Sequence, residues 1–173
     1  MKKLMLFVVL AVCTLGAFTV SAQTTDKSKR PSPPDTVKAT TQNGVAIEVA
    51  YSQPALKGRA IGTEIAPYGK VWRTGANEAT TISFSKNVTL GGKALPAGKY
   101  SLYSIPGEKE WVIIINKIAM QSGMEYKEAE DALRVTVKTE KTSPSVERLK
   151  FMIDPSGKIS FVWGEKMVSF VVK

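Results

Sequence analysis

The residue types able to do chemistry crowd into one stretch of this chain. Between positions 51 and 79 stand Tyr51, Arg59, Glu64, Tyr68, Trp72, Arg73, Asn77 and Glu78. Tyrosine and tryptophan offer flat faces with a hydrogen-bonding tip, arginine a planar fork of donors, asparagine and glutamate polar acceptors; sugars, carboxylates and peptides are bound by such sets. The glycines at 58, 62, 69 and 75 allow positive backbone dihedrals or a close approach. The strand pattern fails over these residues, and a long structured loop in a compact domain is more often functional than not. The same inventory also serves a structural end. An Arg73 to Glu78 pair, with Asn77 bonded to backbone carbonyls, would pin an irregular loop whose buried amides need partners.

What surrounds this stretch narrows its chemistry. The 173 residues contain no histidine and one cysteine, so Ser-His-Asp and Cys-His catalysis and every histidine-ligated metal site are excluded. Lys2 and Lys3, an apolar run over 4–20 and the exit Val20-Ser21-Ala22 read as a cleavable signal peptide over 1–22. Cys13 then belongs to the removed apolar region, and the mature chain has neither thiol nor disulfide chemistry. Export to the periplasm or beyond the cell is expected, with no transmembrane segment after cleavage. Lys2 and Lys3 account for two of the nine net positive charges. The remaining lysines are scattered without a run of five, so they read as a solvated basic surface and not as a nucleic-acid interface. No spacing argues for a metal, and no cofactor is expected; the acidic residues Glu125, Glu128, Glu130 and Asp131 lack the glycine and ligand spacing of a calcium loop.

The remainder is scaffold. Residues 23–35, with Pro31, Pro33 and Pro34 and almost nothing apolar, predict a disordered or extended leader. From Thr36 the period becomes two: Val45, Ile47, Val49 and Tyr51 share one face, after the hairpin signal Asn43-Gly44. Strands are expected over 79–84, 88–90, 93–95, 99–105, 111–116, 133–139, 146–154, 158–163 and 167–172, with Gly91-Gly92, Pro106-Gly107 and Asp154-Pro155-Ser156-Gly157 as turns. Residues 111–115 are apolar on both faces, which suits a central, doubly covered strand. Ser122-Gly123-Met124-Glu125 has the form of a capping box, and Tyr126, Ala129 and Leu133 follow at helical spacing, so one short helix is expected near 122–133. About ten short strands with tight turns predict one all-β domain over 36–173, an antiparallel two-sheet sandwich of jelly-roll type, with a barrel as the alternative.

Two kinds of function suit these residues. A non-catalytic periplasmic or cell-surface binding module would engage a polar small molecule, glycan or envelope partner through Tyr51, Arg59, Tyr68, Trp72, Arg73, Asn77 and Glu78. A glycan-directed hydrolase would use Glu64 and Glu78 as acid and base, since a chain without histidine or thiol has carboxylates for that work; it requires a carboxyl separation of roughly 5 to 10 Å. A purely structural envelope role needs neither. Trp111 and Trp163 lie in strands and are expected in the core. Asn87-Val88-Thr89 matches a glycosylation sequon but reads as a turn entering a strand.

Several segments carry a resemblance. Tyr51-Ser52-Gln53-Pro54, Lys57-Gly58-Arg59, the run 67–80 with its Trp72-Arg73-Thr74-Gly75-Ala76-Asn77-Glu78 motif, and Leu95-Pro96-Ala97-Gly98-Lys99-Tyr100-Ser101-Leu102 resemble the exported bacterial family called domain of unknown function 2911. The likeness covers nearly all of the mature chain and departs at Gln53, where arginine is common in that family. It implies export from a bacterial cell and a shared fold, and supplies no activity.

Overall fold

The structure, a computed structural model, describes residues 26–119 and 122–173; the expected signal peptide lies outside them. The described chain is all-β. Its strands are β1 (Pro34–Thr40), β2 (Ala46–Ser52), β3 (Thr80–Phe84), β4 (Val88–Leu90), β5 (Lys93–Leu95), β6 (Gly98–Ile105), β7 (Glu110–Asn116), β8 (Asp131–Ile153) and β9 (Lys158–Val171). Seven form one antiparallel sheet in the order β1-β2-β3-β6-β7-β8-β9, curled into a half-barrel, and β4 and β5 make a separate two-stranded sheet. Two sheets of comparable size, as a sandwich requires, are not what this order gives. Among the described residues no helix is long and apolar enough to cross a membrane.

Alternation decides which face is filled. Ile47 and Val49 of β2, Ile82 and Phe84 of β3, Leu102 of β6 and Ile113 and Ile115 of β7 are buried in one cluster with Phe151, Phe161 and Trp163 of the last two strands. Each such side chain contributes on the order of 1.5–3 kcal/mol when fully buried. The β4–β5 hairpin adds Val88, Leu90 and Leu95 to the same cluster; the Thr89 and Lys173 amides and carbonyls exchange bonds of 2.7 and 3.1 Å to hold it there. Opposite, the chain leaving β2 meets β8: the Leu56 amide donates to the Glu147 carbonyl at 2.9 Å and the Leu149 amide to the Pro54 carbonyl at 3.0 Å. These bonds partly close the curl.

The outer face is covered in places. Ile114, pointing outward from β7, is buried with Ala79 and Tyr103, and Tyr126 packs against them. Residues 122–130 lie over this face as an irregular segment, so the expected helix near 122–133 is replaced. A three-residue 3₁₀ turn, Glu128–Glu130, precedes β8, and Leu133 already belongs to that strand. Tertiary contacts override the local signal. The Tyr126 hydroxyl donates to Asp131 Oδ2 at 2.7 Å and accepts from Arg134 Nη2 at 2.7 Å, and the Tyr126 ring lies 4.9 Å from that of Tyr103. A helix would break this arrangement. The two strands expected over 133–139 and 146–154 are one long strand with register shifts between Lys141, Val146 and Lys150, and β9 likewise joins 158–163 to 167–172. Ser143-Pro144 sits within that irregularity, where a residue without an amide hydrogen is tolerated.

Candidate functional site

The stretch between β2 and β3 is anchored from its middle. Trp72 exchanges backbone bonds with Ser104 of β6 at 2.7 and 2.8 Å. Its indole stacks on Trp163, centroids 5.3 Å apart and planes within 11°, and meets Trp111 edge-on at 5.9 Å. The next residue but one, Thr74, is buried in a left-handed conformation (φ 48°). A β-branched residue is an outlier there. Two bonds over-determine it: its hydroxyl lies 2.9 Å from Ser104 Oγ, and its carbonyl accepts from Thr80 Oγ1 at 2.9 Å. Among the described residues the non-glycine positions with positive φ are Lys57, Ala66, Thr74 and Asn77, all within this one stretch. Backbone strain concentrates where the surrounding structure holds it in place.

The arginines serve the loop. Arg59 donates to the carbonyls of Leu56 at 3.0 Å and Ala55 at 2.9 Å. Arg73 donates to the Asn77 carbonyl at 2.6 Å and reaches Met124 Sδ at 3.3 Å. The expected Arg73 to Glu78 pair is therefore not the one formed. Glu64 turns back on its own loop, accepting from the Ala60 amide at 2.9 Å. Tyr68 is over a third exposed and lies flat over Gly62, where an added Cβ would stand 2.3 Å from the ring; Lys166 Nζ sits 5.7 Å from its centroid.

Tyr51 is buried and joins two strands. Its hydroxyl donates to Asp35 Oδ2 at 2.8 Å, across the β1–β2 pairing, and accepts from the Phe151 amide at 3.1 Å. Burial above all, opposed by the Phe151 amide and reinforced by the Asp35 carboxylate, pushes the phenol up to about 12.

Asn77 and Glu78 face outward, and what meets them is the N-terminal segment. Glu78 pairs with Lys27 Nζ at 3.1 Å and Arg30 Nη1 at 3.0 Å. Asn77 Nδ2 donates to the Ser32 carbonyl at 3.0 Å, Arg148 Nη1 to the Pro31 carbonyl at 3.0 Å, and the Gln53 amide to the Pro33 carbonyl at 2.9 Å. Residues 26–33 are thus seated across the motif, where composition predicts a disordered or extended leader. Its own backbone N–H, and then Arg30 and Lys27, hold the Glu78 carboxyl down at about 2. A group so strongly acidic stays ionised at neutral pH and is a poor proton donor for general acid catalysis. It is a good fixed anion.

Beside Glu78 a cleft of about 250 Å³ opens between this segment and the outer face of the sheet, lined by Lys27, Asp35, Tyr51, Ser52, Glu78, Thr81 and Lys99 among others. Of the predicted residues it includes Tyr51 and Glu78. Arg59, Arg73 and Asn77 are placed in loop and segment contacts, Trp72 against the core, and Tyr68 on an exposed surface of its own. Sequence reasoning missed Lys27, Asp35, Ser52, Thr81 and Lys99. The signal available was the outward register: Ser52, Thr81 and Lys99 alternate with Tyr51, Ile82 and Tyr100, which are buried. Among the described residues no group of three or more acidic, histidine or cysteine side chains could hold a metal ion.

Fold and site together define an all-β half-barrel domain with a pinned Trp-to-Glu loop and a basic segment laid over it. A family model described as a protein of unknown function, DUF2911, matches residues 32–172, and the chain belongs to that family. No curated protein and no solved structure matches it.

Proposed function

We propose that the chain is exported and acts as a non-catalytic binding module, taking a small polar ligand that bears both an anionic and a cationic group in the cleft beside Glu78. One observation carries the reading. The cleft is lined by the basic residues Lys27 and Lys99, the acidic residue Glu78 and the hydroxyl residues Ser52 and Thr81 around about 250 Å³, slightly under the usual range for small-molecule sites. Opposite charges at fixed places orient a zwitterion and discriminate against neutral analogues. The lysine pair and apolar run at the start of the sequence support export. The reading needs only the outer face of one sheet.

Calorimetric titration of the mature chain with free amino acids and amino sugars tests it. Saturable binding of a zwitterion, weakened at least tenfold by Lys99→Glu and by Glu78→Gln, is the expected result. Heats that do not saturate, or that neither substitution alters, overturn it.

A further inference from the structure

Residues 26–33 contact the domain in an unusual way for a part of its own fold. None of them is buried. Their side chains meet the domain through the Lys27 and Arg30 pairs to the half-exposed carboxylate of Glu78, and exposed ion pairs hold weakly and are screened by salt. Three consecutive carbonyls, those of Pro31, Ser32 and Pro33, are each met by a donor from elsewhere: Arg148, Asn77 and the Gln53 amide. Reading a run of main-chain carbonyls while a fixed charge selects side chains is how a groove recognises an extended peptide. Three prolines within 31–34 favour the extended conformation such a groove accepts, at low entropic cost.

We propose that the surface formed by Glu78, Asn77, Gln53 and Arg148 is a peptide-binding groove for segments in which one 3₁₀ turn, as at Lys27–Lys29, brings cationic side chains three residues apart to one side ahead of an extended, proline-containing run, and that residues 26–33 are its displaceable internal occupant. The inference rests on the reading of this end of the molecule as a binding site and extends it from a small ligand to a peptide. Lys27 also lines the cleft, so displacement of the segment would open both together. An internal occupant competes at high effective concentration; the groove in the intact chain is therefore mostly filled.

The probe is a labelled synthetic peptide of residues 26–33, Asp-Lys-Ser-Lys-Arg-Pro-Ser-Pro, titrated by fluorescence anisotropy into the mature chain and into its Lys27→Glu/Arg30→Glu variant. Both replaced residues lie outside the core, and circular dichroism checks that the variant is folded. The variant is expected to bind the peptide at least tenfold more tightly than the parent chain does. Adding Glu78→Gln should remove about threefold to fivefold of that affinity, and raised salt should weaken it further. Absence of saturable binding to the variant, or binding that Glu78→Gln leaves unchanged, overturns the proposal. The two readings fail separately. If the zwitterion titration saturates and the peptide titration does not, the cleft stands and the groove falls; if the peptide binds and no small ligand does, the reverse holds.

Discussion

Trp72 lies face to face with Trp163, centroids 5.3 Å apart, and edge-on to Trp111 at 5.9 Å. The most distinctive residue of the loop motif is therefore a wedge that fixes the loop onto the core, with one aromatic face taken up by Trp163. Trp72→Ala should cost about 3 kcal/mol, the low end for removing a large aromatic, because the ring is half-buried. Urea unfolding measures it. A loss below about 1 kcal/mol would mean the loop is held elsewhere.

Arg73 and Asn77 form the next link. Arg73→Ala removes the donor to the Asn77 carbonyl and should cost about 1–2 kcal/mol. Asn77→Ala loses the bond to Ser32 and also places alanine at φ 58°, for a total of about 1–2 kcal/mol; Asn77→Gly, free of the backbone penalty, should cost less. The difference between alanine and glycine at 77, read from chemical denaturation, isolates the strain.

Glu78 should behave otherwise. Its pairs are exposed, so Glu78→Gln changes stability by less than about 1 kcal/mol. Its carboxyl is lowered from 4.5 to about 2 in the folded chain; the small stabilisation it gives is present above about pH 4.5 and lost as pH falls towards 2. The larger effect is local: tryptic cleavage after Lys27 and Lys29 should accelerate several-fold in the variant, since the segment loses its anchor. Unaltered cleavage with altered global stability would contradict the assignment.

Tyr51 makes the opposite pH prediction. Its phenol is raised from 10 to about 12, so its neutral form contributes in full below about pH 10, and the contribution is lost as pH rises through 12. Tyr51→Phe leaves the Phe151 amide without its hydroxyl acceptor and should cost about 1–3 kcal/mol at neutral pH. It should also flatten the alkaline limb of the stability curve, which melting temperatures between pH 8 and 12 would show. An unchanged limb would place the titration on another group.

How far the sequence leads can be seen residue by residue. Alternation placed Ile47, Val49 and Tyr51 inward because a half-buried strand has a period of two, and all three are buried. Asn43-Gly44 and Asp154-Pro155-Ser156-Gly157 marked turns for stereochemical reasons, and Gly44 and Gly157 adopt φ of +71° and +86° there. The helix near 122–133 failed because capping-box residues describe local preference, whereas Tyr126 is held by Asp131 and Arg134 and by the ring of Tyr103. The seating of residues 26–33 had no local signature at all. It depends on Lys27 and Arg30 meeting a carboxylate about fifty positions further on, and neither charge nor proline content says where a segment rests. In the motif, residue types identified a place of consequence but could not say that Arg73 would turn to the Asn77 carbonyl instead of to Glu78.

Gly62 and Tyr68 offer a last test, of whether the exposed tyrosine is fixed or adaptable. A methyl at 62 would stand 2.3 Å from the Tyr68 ring, at a φ of +98° that alanine rarely adopts. Gly62→Ala therefore combines a steric and a backbone penalty and should cost about 2–4 kcal/mol. Tyr68→Ala, which uncovers the site and removes the ring from beneath Lys166, should cost under about 1 kcal/mol, since the ring is exposed. In the double variant the steric part disappears and only the backbone strain remains, so the two costs should fall short of adding by about 1–2 kcal/mol. Strict additivity in a denaturation cycle would show that the ring swings aside in Gly62→Ala at little cost, and Tyr68 would then be a mobile surface group instead of a fixed wall of the loop.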